Sequence, residues 1–109
     1  MNILLDNVNL DSRSGPNSFG KKLKKELDYN HFVSTSLEAF SNKHIDIQIS
    51  FIAANFKLAP LVQRLDGIYF NSEQDFNTLN SPIESTYRVA DGVIFQSNFN
   101  KDLTRHYFG

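Results

Sequence analysis

Cysteine and tryptophan are absent from this 109-residue chain, which also holds only three prolines and one methionine. Without cysteine there is neither a disulfide framework nor a thiolate metal site. Charge is not in excess either. Eleven basic and twelve acidic residues leave a net charge of −1 and a pI near 6.3, which argues against nucleic-acid binding through bulk electrostatics. No apolar run approaches the ~20 residues that a membrane helix needs. The first ten residues contain Asp6 and lack a basic start, so they make a poor signal peptide. These features fit a cytoplasmic protein. No D-x-D pair, G-x-S-x-G or G-x-G-x-x-G occurs. His31, His44 and His106 are scattered, without the i, i+4 spacing of a metal site.

What is present is apolar and aromatic. Hydrophobic residues make up 40% of the chain and include ten Phe and four Tyr, enough for one folded domain at this length. Ile3-Leu4-Leu5 opens a buried first strand. Residues 9–17, rich in Asn, Asp, Ser, Gly and Pro, read as a loop. A helix is expected from about Asn17 or Ser18 to Asp28, with Phe19, Leu23 and Leu27 on one face and lysines mostly on the others. His31-Phe32-Val33 suggests a short strand and residues 36–40 a helical turn. Residues 45–51 alternate apolar and polar with the period of a strand. Residues 61–65 form another strand candidate, ended by Asp66-Gly67, and residues 68–80 read as a loop. Ser81, Pro82 and Glu84 spell a helix start with a capping box, with Ile83, Tyr87 and Ala90 facing the core. Val93-Ile94-Phe95 is expected as a short buried strand. Ser97 caps a last helix whose Phe99, Leu103 and Tyr107 share a face, and Gly109 suits its end. Strands alternating with helices predict an α/β domain: a mostly parallel, Rossmann-like sheet with helices on both faces. A doubly wound chain that stops after a helix suggests truncation at the C-terminus.

Two segments carry candidate chemistry. Gly15-Pro16-Asn17-Ser18-Phe19-Gly20-Lys21-Lys22 nearly matches G-x-x-x-x-G-K-[ST], whose loop amides surround phosphate oxygens. Lys22 stands where the metal-binding hydroxyl belongs, Pro16 has no N–H to donate, and Phe19-Gly20-Lys21 reads as helix interior. Arg64 and Asp66, two apart at a strand end, point to one side of an extended chain. They are either an ion-paired surface turn, with Gly67 supplying positive φ, or a pair in the cleft beyond the strands. There, Arg64 could hold a phosphate or an acceptor hydroxyl, and Asp66 could orient or deprotonate that hydroxyl.

The order Arg64-Leu65-Asp66-Gly67, Ile68-Tyr69-Phe70, Ala90-Asp91-Gly92-Val93-Ile94-Phe95 and Ser97-Asn98-Phe99-Asn100-Lys101 resembles the N-terminal domain of GT-B glycosyltransferases of the family 4 (group 1) type. The resemblance runs from the first strand to the last helix, with a weak middle. It implies transfer of a sugar from a nucleotide-sugar to an acceptor hydroxyl, with no bound metal and no cofactor beyond that co-substrate. It places Gly15, Pro16, Asn17, Arg64 and Asp66 in the donor and acceptor cleft, with Asp66 as the catalytic candidate. Most donor contacts would come from a second, C-terminal domain, so these 109 residues alone are expected to be inactive. The other class of function is a non-enzymatic α/β interaction module, self-associating through an exposed sheet edge. A phosphate-loop nucleotide binder is third. Four lysines in residues 20–25 also suit peripheral contact with an anionic membrane.

Overall fold

The computed structural model describes residues 1–12, 15–68 and 75–109. Five strands, β1 (Asn2–Asp6), β2 (Phe32–Ser34), β3 (Ile47–Phe51), β4 (Leu61–Leu65) and β5 (Gly92–Phe95), form one all-parallel sheet in the order β2-β1-β3-β4-β5. Three helices accompany it: α1 (Gly15–Leu27), α2 (Phe76–Val89) and α3 (Asn98–Phe108). The fold is Rossmann-like α/β, and the strand order reverses between β1 and β3. Among the described residues no helix is long and apolar enough to cross a membrane.

Alternation along the strands divides the core in two. Ile3, Leu5, Val33 and Phe51 point to one face and pack with Leu23 and Leu27 of α1. Leu65 and Val93 point to the other and pack with Ile83 of α2 and Phe108 of α3. Gly20 lets α1 settle on the sheet. A Cβ at that position would lie 2.6 Å from Val8 Cγ2 and 3.4 Å from the Phe51 ring.

The face towards α2 is unusual for a parallel sheet, which is normally apolar on both sides. Asp6, Ser50 and Gln63 lie in one register row across β1, β3 and β4, and Gln48 sits nearby on the same face. Gln48, Ser50 and Gln63 are wholly buried. The cause is the connection from β3 to β4, residues 52–60, which crosses this face as a strap with no helix in it. An irregular strap lacks partners for its own peptide groups, and sheet side chains supply them. Gln48 Nε2 donates to Phe56 O (2.9 Å), and Gln48 Oε1 accepts from Leu58 N (2.9 Å). Gln63 Nε2 donates to Ile52 O (2.7 Å) and Ile83 O (3.1 Å), which fixes the orientation of its amide. Thr86 Oγ1 of α2 accepts from Ala54 N (2.8 Å). Thus Gln48 and Ser50, from the polar half of the alternating 45–51 pattern, are buried rather than solvated, while Asp46 stays exposed.

Several sequence expectations need correction. Helix α1 starts at Gly15, so Gly15, Pro16 and Asn17 form its first turn rather than a loop. Helix α2 starts at Phe76, capped by Asp75, whose carboxylate accepts from Thr78 N (3.3 Å) and Thr78 Oγ1 (2.7 Å). Ser81 and Pro82 therefore lie inside it, because the earlier cap captures the chain first. Strand β5 is the sheet edge and not a buried strand; Ile94 is 48% exposed. Ser97 does cap α3, accepting from Asn100 N (3.2 Å). The buried face of α3, however, runs through Thr104 and Phe108, leaving Phe99 65% exposed. Gly67 has no positive φ; among the described glycines only Gly109 does.

Candidate functional site

In doubly wound sheets, ligands gather beyond the carboxyl ends of the strands. Here those ends carry Asp6 (β1), Phe51-Ile52 (β3) and Arg64-Leu65-Asp66 (β4). Arg64 points towards α1. Its guanidinium lies 4.1 Å from the Phe19 ring centroid and 6.0 Å from that of Phe51, a cation–π arrangement. It is only 7% exposed, and its Nη1 donates to Asp66 Oδ1. Asn100 of α3 donates from Nδ2 to the Asp66 carbonyl, so Asp66 is held through both side chain and main chain. The pair is therefore ion-paired but not a surface turn, because the arginine is buried.

Asp66 lines a cleft of about 270 Å³ with Ile52, Gly67, Ile68 and Ile83. Ile52 carries strain: its φ is +72°, a left-handed conformation that β-branched residues avoid. Ala53 N donates to Phe51 O (2.9 Å), closing a three-residue γ-turn around it. The turn is clamped from three sides. Asn7 Nδ2 donates to Phe51 O (2.8 Å) and Ala53 O (3.1 Å), Gln63 donates to Ile52 O, and Ile52 N donates to Arg64 O (2.9 Å). Backbone strain maintained this way clusters at functional sites.

A larger cavity of about 330 Å³ lies between the strap and α2, lined by Ala54, Phe56, Lys57, Thr86 and Val89 among others. It is a poorer candidate, because Lys57 pairs there with Asp91 (2.9 Å), whose carboxylate accepts from Leu61 N at the start of β4. That places it towards the amino ends of the strands. The Lys57 hydrogen bond, helped by the Leu61 N–H, holds the Asp91 carboxyl below its ordinary value.

Of the five residues expected in the cleft, the structure brings Arg64 and Asp66 together, and among those whose side chains are described only Asp66 lines the cavity. Gly15 and Asn17 sit at the start of α1. A Cβ on Gly15 would meet nothing within 4 Å, and Asn17 Oδ1 accepts from Asn9 N (2.8 Å), tying down the β1–α1 connection. Gly20 and Lys21 lie within α1, with Lys21 exposed. Residues 15–22 thus form helix where a phosphate-binding loop needs free amides. The aromatic stretch after Ile68, Tyr69-Phe70, lies outside the described residues.

Sequence reasoning missed Asp6 and Ile52. Asp6 Oδ2 accepts from Ser50 Oγ (2.8 Å) and Gln48 Nε2 (3.3 Å) at the switch between β1 and β3. The signal was an acidic residue ending an apolar strand, which reads equally as a simple strand stop. Ile52 left no signal. Among the described residues no cluster of His, Asp or Glu is placed to hold a metal. Comparison with models of protein families, with curated proteins and with solved structures finds no match.

Proposed function

We propose that the chain is the acceptor-side domain of a glycosyltransferase that moves a sugar from a nucleotide-sugar to an acceptor hydroxyl. Asp66 is the group that orients or deprotonates that hydroxyl. One observation carries the reading: a buried arginine holds the carboxylate of Asp66, a residue that lines a cleft at the carboxyl ends of a doubly wound sheet. The order of sequence motifs supports it. The nucleotide-sugar is a co-substrate, and no bound metal or further cofactor is required. Gly15, Pro16 and Asn17 open α1, whose N-terminus favours a donor diphosphate. Most donor contacts belong to a second domain, so one wall of the cleft is not enough for turnover. The setting is cytoplasmic, with exposed Lys21, Lys22 and Lys25 available to a membrane surface.

Saturation-transfer NMR on the 109-residue chain tests this. Acceptor glycosides should bind, and nucleotide-sugars should show no turnover. Firm nucleotide-sugar binding with no response to any glycoside would sink the reading.

One observation favours a second reading, a non-enzymatic interaction module. Strand β5 presents an unpaired edge with Ile94 exposed beside it. Sedimentation should then show a dimer that Ile94→Lys dissolves, and a monomer at all concentrations would exclude it.

A further inference from the structure

We propose that the cleft beside Asp66 takes a single uncharged sugar ring, the terminal unit of the acceptor, and rejects a phosphorylated one. This rests on the glycosyltransferase reading and narrows its substrate. The cleft, about 270 Å³, falls just under the ~300–1,000 Å³ typical of small-molecule pockets, so it is a subsite for one ring rather than a chain.

Its walls are chemically lopsided. Ile52, Ile68 and Ile83 are apolar, and Asp66 is the one ionisable side chain among the described lining residues. Arg64, the arginine that holds Asp66, is committed. It donates to Asp66 Oδ1, and its guanidinium is packed against Phe19 and Phe51 on the other face of the sheet. A phosphate entering the cleft would therefore meet an acidic residue and, among the described lining residues, no cation. A neutral ring suits both surfaces: its C–H face lies on the isoleucines, and its hydroxyls donate to the carboxylate. The strained Ile52 turn serves the same end. Asn7 and Gln63 hold Ile52 where it lines the cleft, so Asn7 and Gln63 are positioning residues for that wall.

The test uses the ¹⁵N-labelled chain, with methyl glucoside, methyl galactoside and methyl mannoside as neutral probes and the corresponding sugar phosphates as charged ones. At least one neutral glycoside should shift the amide signals of Gly67, Ile68 and Ile83, and its phosphate should bind no better than a tenth as well. Asp66→Asn should weaken glycoside binding about tenfold or more, the size of one lost hydrogen bond to a charged group. Because that variant leaves Arg64 without a charged partner, Ile52→Gly is the companion. Glycine accepts the positive φ, so this variant keeps the turn and deletes only the wall, and it should also weaken binding. Preferential binding of a sugar phosphate at these amides would overturn the inference and leave the acceptor reading intact. Silence from every glycoside and every phosphate would overturn both. Unchanged affinity in the two variants would remove the ligand from this cleft.

Discussion

Replacing Gly20 with alanine tests how α1 is seated. The new methyl would lie 2.6 Å from Val8 Cγ2, far inside van der Waals contact, with the fully buried Phe51 ring at 3.4 Å closing the retreat. Val8 is β-branched and stiff at χ1, so relief requires an off-rotamer valine or a shift of α1. Overpacking of this kind costs about 1–3 kcal/mol, and so close a contact belongs near the top of that range. Alanine in a helix recovers roughly 0.5–1 kcal/mol relative to glycine. The net loss is therefore about 1–2 kcal/mol, or roughly 5–15 °C in melting temperature for a domain of this size. Urea unfolding followed by circular dichroism reads it directly, provided the m-value is unchanged. Val8→Ala removes the clashing methyl, so Gly20→Ala should cost far less in that background, with a coupling of about 1 kcal/mol or more. If Gly20→Ala melts at or above the parent, α1 does not rest on the β1–α1 connection as described.

Three further outcomes are expected. Gln48→Leu leaves Phe56 O and Leu58 N without their side-chain partner, which at about 1–3 kcal/mol per stranded group should cost roughly 2–6 kcal/mol by urea unfolding. Because the folded-state pKa of Asp91 is lowered, its contribution to stability is complete above its ordinary value of 3.8 and is lost as pH falls through the lower, folded value. Melting temperatures of the parent and Asp91→Asn should therefore differ at neutral pH and converge in that acid window. Lys21→Ala should leave nucleoside-triphosphate binding, measured by calorimetry, unchanged, since Lys21 is an exposed residue within α1.

Parts of this molecule were legible in the sequence for physical reasons. Strand β4 was bounded correctly because Pro60 and Asp66-Gly67 flank its apolar run, and Ser97 was identified because the residues after it are helical in pattern. The Arg64–Asp66 pair was visible because both members sit on one short segment. Other features depend on contacts between distant segments. Asp75 competes with Ser81 for the same helix start, and local spacing does not rank two good caps. The buried polar row follows from the strap lying over it, which no periodicity in β3 announces. On α3, several stripes are apolar enough to face the core, and only the position of Ile83 and Tyr87 on α2 selects the one through Phe108. The strain at Ile52 is imposed by Asn7, Gln63 and Arg64 together.

The strap also sets the order in which the sheet assembles. Gln48 finds Leu61 across a short loop, whereas Ile3 must wait for Ile47 and Val62 for Gly92. Closing a short loop loses less chain entropy than closing a long one, and parallel pairing between distant segments is slow. By loop closure alone the unit of β3, strap and β4 is the expected nucleus, and the more distant pairings of β1, β2 and β5 follow it. Gln48, which ties the strap to its own strand, belongs to that nucleus. Its loss should appear mainly as slower folding, with the unfolding rate little changed.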